Sequence, residues 1–324
     1  MEDTTDEIQI AITFDTTYAM PGSVTLRSAI THTTGRISFY IVDCGLTTSD
    51  RERLQEVASG NENVRLQFVR LPEGGLTTMG PVWAKIDMLD VLAHRLDRLL
   101  YLDADLLVRD DLRKLWDTDL SGHPLAAVLD VGIPMGHSGV ERGPFLNAGV
   151  LLLDLVKIRE RLGDLTSIAR ARKYSLQKDE DALNEHFRRE WLSLSLRWNA
   201  QGLGTYADWP SDDRTVLDLT QMVDPGIVHF MGPVNPTMEA VMDHRRQPYP
   251  AKPWGYAGAP GHPYVEEWWA VVDQTPWKGW RTSKEYAVYC AKKEEDAIQA
   301  GMEAFRRRVQ TARCPHGNGV CYDS

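Results

Sequence analysis

The chain contains little cysteine, no long apolar run and no excess of positive charge. Its 324 residues include four cysteines, too few for a disulfide framework. The net charge of −10 argues against nucleic acid or an anionic membrane as the main partner. No apolar run approaches the roughly 18 residues of a transmembrane helix. The first residues, MEDTTDEIQI, are acidic where a signal peptide would be basic and then apolar. These absences predict a cytoplasmic globular protein.

Apolar, β-branched segments alternate with amphipathic segments along the first third of the chain. The predicted strands are 8–14, 37–45, 63–71 and 97–108. The predicted helices between them are 23–33, 47–59 and 81–96. Strands at 123–130 and 145–155 follow, with helices in 157–175, from 179 onwards, and over 283–312. This alternation predicts an α/β fold, with a Rossmann-like, mostly parallel sheet between flanking helices.

Carboxylates stand at the ends of two predicted strands. Asp15 follows the first strand, and Asp103 and Asp105 interrupt the apolar run RLLYLDADLLV. Ligands of parallel sheets bind at the carboxyl ends of the strands, so these residues are expected in one site. A buried, unpaired charge costs several kcal/mol or more. The aspartate pair therefore predicts a positive partner, and a metal ion is the first candidate.

The segment LLYLDADLLVRDDLRKLWDTDL resembles the D-x-D region of family 8 glycosyltransferases, which are retaining enzymes with a GT-A fold. The chain holds three D-x-D triplets, at 103–105, 117–119 and 179–181, so one triplet is weak evidence. The order and spacing of several motifs carry the resemblance: TFDTTY, PVWAKIDML, FLNAGVLLLDL, DEDALN and IVHFMGP. The resemblance implies a GT-A nucleotide-sugar glycosyltransferase domain over 1–254. A Pro/Gly/Trp-rich segment with a C-terminal helix, 255–324, would pack on it.

The resemblance implies a UDP-sugar site. Asp15 would read the uracil edge, and Tyr18 would stack on or near the nucleoside. Lys85 would lie near the sugar and the diphosphate, although a lone lysine on a helix is ordinarily a surface residue. Asn147 would bind sugar hydroxyls, and Gly149 would permit close approach. The remaining donor-binding candidates are Asp103, Ala104, Asp105, Gly232 and Lys252.

The resemblance also implies a metal site formed by Asp103, Asp105 and His229. Two carboxylates with one imidazole and the phosphate oxygens of the substrate suit Mn²⁺ or Mg²⁺. Mn²⁺ tolerates a nitrogen ligand better, so the histidine favours Mn²⁺ over Mg²⁺. A histidine at a strand end is ordinarily only a satisfied polar residue.

Two positions depart from the family pattern. The family's D-Q-D-x-L-N reads DEDALN here, so the catalytic candidates are Asp179, which would hold sugar hydroxyls, and Glu180. Retention of the anomeric configuration requires either a covalent intermediate with an enzyme carboxylate or front-face attack guided by the leaving phosphate. Glu180 reopens the covalent route, unless it only binds a sugar hydroxyl. The family's motif G-x-x-K-P-W contains a lysine that contacts the diphosphate. In this chain the sequence Lys252-Pro253-Trp254 comes only after an inserted stretch, and Lys252 is expected to contact the phosphates from a longer lid.

The expected function is retaining, Mn²⁺-dependent transfer of glucose or galactose from a UDP-sugar to an acceptor hydroxyl. The acceptor could be a small molecule, a glycan or a protein. The segment RWNAQGLGTYADWP resembles the part of glycogenin that carries its self-glucosylated tyrosine, so Tyr206 is an alternative acceptor. A protein that binds a nucleotide-sugar without turnover is a second alternative.

The C-terminal region allows two interpretations. Its tryptophans would either floor an acceptor pocket or pin the tail to the core: Trp254, Trp268, Trp269, Trp277 and Trp280. The predicted helix carries an apolar stripe of Ile298, Met302, Phe305 and Val309, which is expected to dock on the catalytic domain. A partner or membrane surface for the adjacent arginines, 306–308, is the alternative.

Overall fold

The computed structural model describes residues 7–203, 212–242 and 251–313. The first βα units are β1 (Glu7–Phe14), α1 (Ala19–His32), β2 (Arg36–Asp43), α2 (Thr48–Ala58), β3 (Val64–Val69), α3 (Ala84–Leu92) and β4 (Arg98–Leu102). The middle contains β5 (Leu106–Val108), α4 (Arg113–Trp116), β6 (Leu125–Leu129), β7 (Leu146–Asp154), α5 (Leu155–Arg159), α6 (Leu162–Ala171), α7 (Asp179–Phe187) and β8 (Trp191–Ser193). The last elements are β9 (Ala200–Gln201), β10 (Ile227–His229), α8 (Met238–Val241), α9 (Val265–Val272) and α10 (Lys284–Arg313).

Seven strands form the main sheet, in the order β3-β2-β1-β4-β7-β6-β8. Only β7 runs against its neighbours in that sheet, because it pairs antiparallel with both β4 and β6. The mostly parallel sheet predicted from the sequence is therefore confirmed. Ile12 of β1 lies beside Leu102 of β4, so the carboxyl ends of these strands meet at one edge. Asp15 and Asp103 follow those two ends, which places them at one site as predicted.

The single strand predicted over 97–108 is wrong. The chain leaves the main sheet after Leu102, and Leu106–Val108 instead joins β10 and β9 in a second, three-stranded sheet. The amide of Asp103 donates to the carbonyl of Gly149, which closes the end of β4. Thr25 and Ser28 of α1 hydrogen-bond the backbone of β5 and satisfy its other edge. The two aspartates consequently occupy a turn between sheets, not the end of one strand.

Strand β7 is covered on both faces by helices and by the second sheet. Every residue from Leu146 to Leu153 is buried. A strand covered on both faces reads as a continuous apolar run, which explains the sequence LNAGVLLLD. The one amide side chain in this strand, Asn147, is 2% exposed, so its polar atoms must find partners inside the protein.

The C-terminal segment is held by buried aromatic side chains. Trp254, Trp268, Trp269 and Trp277 are each less than 10% exposed, and Trp254 stacks on Trp268 at 5.1 Å between centroids. These four tryptophans thus pin the segment to the core, while Trp280 lines a second cavity of about 550 Å³ together with Trp254 and Trp277, so the structure is compatible with both interpretations.

Helix α10 forms over nearly the predicted span, but its apolar stripe does not dock. Ile298, Met302 and Phe305 are 41%, 45% and 62% exposed. The helix packs on α8 through another face, where Gly301 lies against Met238 and Ala297 is buried. The expected docking of the stripe is therefore wrong. Among the described residues, no helix combines the length and apolarity needed to cross a membrane.

Candidate active site

A cavity of about 600 Å³ opens at the carboxyl ends of β1 and β4, where the two sheets meet. Every residue predicted from the sequence to bind the donor, bind the metal or take part in catalysis lines this cavity. The cavity also contains residues that the motifs did not indicate, among them Gln177 and Lys178. The strand break after Leu102 creates this arrangement, because it brings the aspartate turn against the end of β10.

Three potential metal-binding atoms converge in the cavity. The Nε2 atom of His229 lies 3.3 Å from Oδ1 of Asp105 and 3.9 Å from Oδ2 of Asp103. One ligand atom from each of these residues lies within 4.8 Å of the others. The second oxygen of Asp103 is engaged elsewhere, since Oδ1 accepts from the Tyr101 hydroxyl at 2.6 Å. The geometry leaves one free atom per residue, directed towards a common point.

The hydrogen bonding of Asp105 fits a cation at this point. Its Oδ1 atom is buried and has no hydrogen-bond partner among the described residues. A buried acceptor without a partner costs about 1–3 kcal/mol, and more when it is charged. Its Oδ2 atom accepts from the Lys252 ammonium. Burial opposes ionisation of Asp105, but the Lys252 ammonium, together with interactions with the adjacent His229 ring, outweighs it and lowers the pKa. The carboxylate is therefore ionised and has an oxygen available for a divalent ion.

Lys85 is buried, so the ordinary interpretation of a surface lysine is excluded. Its ammonium lies 3.0 Å from Oδ2 of Asp179 and 3.3 Å from Oδ1 of Asp103, and it donates to the carbonyl of Ala148. Burial alone would lower the pKa of Lys85, but the two carboxylates more than compensate and raise it well above its usual value. A fixed positive charge therefore connects an aspartate of the metal site with Asp179, the first residue of α7.

Asp15 and Tyr18 also line the cavity. Oδ1 of Asp15 accepts from the amide of Thr17 at 2.9 Å, so the residue caps the short turn that follows β1. The ring of Tyr18 meets Trp254 edge-on at 5.8 Å between centroids. Asp15 thus has the ordinary capping role and also contributes a carboxylate to the cavity wall.

Glu180 occupies the first turn of α7. Its Oε2 atom accepts from the amide of Ala148 at 2.8 Å. Burial, reinforced by the neighbouring Asp130 carboxylate, raises the pKa of Glu180 well above its usual range. Because its pKa is raised, the side chain of Glu180 favours the neutral acid at pH values where a free glutamate is ionised.

The residue before the helix, Lys178, has a φ of 50° and a ψ of −109°, an uncommon conformation for a residue with a side chain.

Lys252 reaches the site despite the displaced motif. Its ammonium contacts Asp105 and donates to the carbonyl of Phe230 at 2.7 Å. The backbone amide of Lys252 donates to the carbonyl of Pro233, which ties this segment to the loop after β10. Gly232 in that loop has a φ of 99°, which favours glycine. The structure therefore places Lys252 in the cavity beside Asp105, and its phosphate role stays a prediction. Tyr206 lies outside the described residues.

Asn199 was not recognised as part of the site from the sequence. It is fully buried, and its Oδ1 atom lies 2.9 Å from Nδ1 of His229. The only sequence feature that pointed to Asn199 was its place in the glycogenin-like segment, seven residues before Tyr206. Asn147, expected to bind sugar hydroxyls, lines the cavity but has both polar atoms engaged, with Asp130, Asn199 and the amide of Gly149.

Residues 9–236 match the sequence pattern of a family described as glycosyl transferase family 8. The chain belongs to this family. General stress protein A of Bacillus subtilis is 26% identical over 269 residues, covering 74% of this chain and 84% of that protein. Lipopolysaccharide 1,2-glucosyltransferase of Escherichia coli strain K12 is 27% identical, covering 60% of this chain and 63% of that enzyme. The chain spans only about half the length of some other curated relatives, such as glycosyltransferase GlyF of Streptococcus pneumoniae.

Solved structures of glycosyltransferases share the fold of this family 8 member. Galactosyltransferase LgtC, solved with donor and acceptor sugar analogs, superposes with a TM-score of 0.62 at 23% identity, covering 83% of this chain and 96% of LgtC. The bifunctional glycosyltransferase WbbM gives a TM-score of 0.65 at 19% identity, covering 85% of this chain and 51% of WbbM. At these identities the likeness establishes the fold alone. The predicted GT-A fold with a C-terminal helix is confirmed.

Proposed function

We propose that this family 8 glycosyltransferase transfers glucose or galactose from a UDP-sugar to an acceptor hydroxyl with retention, and that it depends on Mn²⁺. The proposal rests chiefly on the convergence of free ligand atoms from Asp103, Asp105 and His229 inside the cavity. Two carboxylate oxygens and one imidazole nitrogen suit Mn²⁺ better than Mg²⁺. A binding protein without turnover would have less need of such a centre.

The chain's own side chains complete the donor site. When bound, the cation would neutralise the charge that develops on the leaving UDP, a contribution of several kcal/mol. Lys85 and Lys252 add positive charge on either side of the aspartates. Asp15 and Tyr18 are assigned to the nucleoside, because they line the same cavity and match the family motif at the end of the first strand. Asp179, held by Lys85, is assigned to sugar hydroxyls.

Front-face attack is the mechanism that the surroundings of Glu180 favour. A carboxylate nucleophile must be ionised, whereas burial and Asp130 raise the pKa of Glu180. A neutral carboxylic acid has nearly the shape of the glutamine amide that the family carries there. We assign Glu180 to a hydrogen bond with the sugar. The phosphate of the departing UDP then guides the acceptor hydroxyl to the same face of the sugar.

The acceptor is not assigned by these contacts. The named relatives include a lipopolysaccharide glucosyltransferase and a galactosyltransferase, so both sugars remain candidates for the donor. Self-glucosylation of Tyr206 is kept as the alternative function because of the glycogenin-like sequence around it. A cytoplasmic location stays a prediction from the sequence.

A donor panel tests the proposal. UDP release is measured with UDP-glucose, UDP-galactose, UDP-N-acetylglucosamine and GDP-mannose, each with Mn²⁺ and with a chelator, and the intact mass of the protein is recorded. Metal-dependent release from one of the two UDP-hexoses at unchanged mass supports hexosyl transfer to water in place of an external acceptor. A mass gain in hexose steps that disappears in Tyr206→Phe supports self-glucosylation. Release that is equal with the chelator contradicts the metal-dependent proposal.

Glu180→Gln is expected to retain activity within about tenfold at neutral pH, because the amide resembles the neutral acid. In the native protein, raising the pH through the elevated pKa of Glu180 ionises it, so the rate should fall on the alkaline side. The variant should lack that part of the fall. The measurement is kcat/KM against pH, with Glu190→Gln at the protein surface as the matched control. A loss of about a thousandfold in Glu180→Gln would instead support a nucleophilic role.

Lys252→Met is expected to change two affinities in opposite directions. Without nucleotide, Mn²⁺ should bind more tightly, because the competing ammonium no longer occupies Oδ2 of Asp105. With Mn²⁺ present, UDP should bind roughly 10–100-fold more weakly, as expected for loss of a charge-assisted hydrogen bond. Electron paramagnetic resonance of free Mn²⁺ and calorimetry with UDP measure the two affinities. The exposed Lys292→Met is the control, and unchanged UDP affinity in Lys252→Met would contradict the phosphate role.

A further inference from the structure

A chain of buried, hydrogen-bonded side chains connects the metal-site histidine with Asp130. Nδ1 of His229 lies 2.9 Å from Oδ1 of Asn199. Nδ2 of Asn199 donates to Oδ1 of Asn147 at 2.8 Å, and Nδ2 of Asn147 donates to Oδ2 of Asp130 at 2.9 Å. All four residues are 5% exposed or less. The chain gives Nδ1 of His229 a fixed partner inside the protein.

The backbone fixes the direction of these hydrogen bonds. The amide N–H of Gly149 can only donate, and it lies 3.0 Å from Oδ1 of Asn147. Asn147 must therefore present its oxygen to Gly149 and its NH₂ to Asp130. Asn199 must then donate its own NH₂ to that same oxygen, which turns its Oδ1 towards His229. An amide oxygen only accepts, so Nδ1 of His229 carries a proton, and whenever the ring is neutral Nε2 carries the lone pair.

Packing fixes the position of the imidazole as well. A Cβ atom at position 149 would lie 2.4 Å from Cε1 and 2.7 Å from Nδ1 of His229, so only glycine leaves room for the ring. The close approach expected at Gly149 is thus made by the histidine. Asn199 directly precedes β9, and the pairing of Gln201 with His229 fixes the spacing between the two strands. Strand pairing and the space left by Gly149 fix the position of the His229 ring. The side-chain amides of Asn199 and Asn147 determine that Nδ1 is protonated.

We propose that Asn199 is a positioning residue, which holds His229 in the Nδ1-protonated tautomer and so keeps Nε2 free for a divalent cation. The inference rests on the proposed metal site. Outer partners of a ligating histidine orient the ring and raise its basicity, and their loss typically costs roughly 10–100-fold in metal affinity. Asn147 fixes the orientation of the Asn199 amide by accepting its NH₂, and Asp130 fixes the orientation of Asn147 in the same way.

The first test needs no variant and no metal. In ¹⁵N-labelled native protein with a chelator, two-bond nitrogen–proton spectra report the tautomer of each histidine, and His229→Gln assigns the signal. The proposal expects a proton on Nδ1 of His229, both in the neutral ring and in a ring that holds a second proton on Nε2 beside Asp105. A neutral His229 with its only proton on Nε2 overturns the proposal even when the protein binds metal and is active.

The second test compares Asn199→Leu with Asn199→Asp, using Mn²⁺ binding measured by electron paramagnetic resonance. The carboxylate of Asn199→Asp still accepts the Nδ1 proton but sets its second oxygen against Oδ1 of Asn147, so its Mn²⁺ affinity should fall, and by less than that of Asn199→Leu. Leucine has no acceptor, and the Kd should rise roughly 10–100-fold with a mixture of His229 tautomers. If Asn199→Leu does not fold, Asn199→Ser, whose hydroxyl is too short to reach the imidazole, replaces it. Equal affinity in the native protein and in a folded variant without the acceptor overturns the proposal.

The two proposals fail in different ways. If native protein binds no Mn²⁺ but His229 shows the expected proton on Nδ1, the metal-dependent function is refuted. The role of Asn199 in metal binding is then refuted with it, although the hydrogen bond to His229 exists. If native protein and both variants bind Mn²⁺ equally, the metal site stands and the role of Asn199 is refuted.

Discussion

Asp105→Asn is expected to lower kcat/KM for metal-dependent UDP release by about a thousandfold. The substitution replaces the buried Oδ1 atom, which has no partner among the described residues, with one atom of a neutral amide. It also removes the charge that offsets Lys252. Metal assistance is worth several kcal/mol and each 1.36 kcal/mol is tenfold in rate, so loss of the cation predicts this magnitude. The measurement is initial UDP release at several Mn²⁺ concentrations.

A second D-x-D triplet in the same chain supplies the control. Asp117 belongs to the triplet 117–119, is exposed and lies outside the cavity. Asp117→Asn should therefore keep native activity and native Mn²⁺ affinity. If the Asp105 and Asp117 variants lose activity equally, or neither loses it, the aspartate turn is not a metal centre.

Lys85→Met is expected to destabilise the folded protein by about 3–5 kcal/mol in the presence of a chelator. The substitution leaves Asp103 and Asp179 facing each other in a buried environment without the ammonium that now joins them. Urea unfolding monitored by circular dichroism measures the change. Lys114→Met removes a surface pair with Asp110, in which the lysine side chain is 61% exposed, and should cost at most about 1 kcal/mol.

The pH dependence of the same variant has a definite sign. Burial raises the pKa of Asp179 in the native protein, and removal of Lys85 should raise it further. The folded variant then retains a proton that the unfolded chain releases, so its stability falls as the pH rises. The stability difference between variant and native protein should accordingly shrink as the pH falls towards the ordinary carboxyl range. A difference that is small at neutral pH, or that is independent of pH, would contradict the buried ion-pair account.

The early βα units could be predicted because the signals are local. The strands are short, mostly apolar runs, and α2 has a local start signal, the Thr47–Asp50 capping box. The meeting of Asp15 and Asp103 also followed from the sequence, since the ends of parallel strands share one edge of the sheet. The resemblance to family 8 then indicated further cavity residues, including Lys252 beyond the inserted stretch.

The features that sequence reasoning missed depend on contacts between distant segments. The apolar run 97–108 reads as one strand, because nothing within it shows that β5 pairs with β10 about 120 residues later. The apolar stripe of α10 has a clear helical period, but periodicity does not reveal whether another element covers it. Asn199 acquires its role only through the approach of His229 and Asn147 in three dimensions.

Anomalous diffraction from a crystal grown with Mn²⁺ and an unreactive UDP-hexose analogue tests the central claim most directly. The account predicts one manganese peak in the cavity, within bonding distance of Oδ2 of Asp103, Oδ1 of Asp105 and Nε2 of His229. It also predicts that Lys252 has left Asp105 for a phosphate oxygen. A fully occupied peak elsewhere, or a nucleotide-sugar bound with no manganese between its phosphates and these three atoms, would contradict the account.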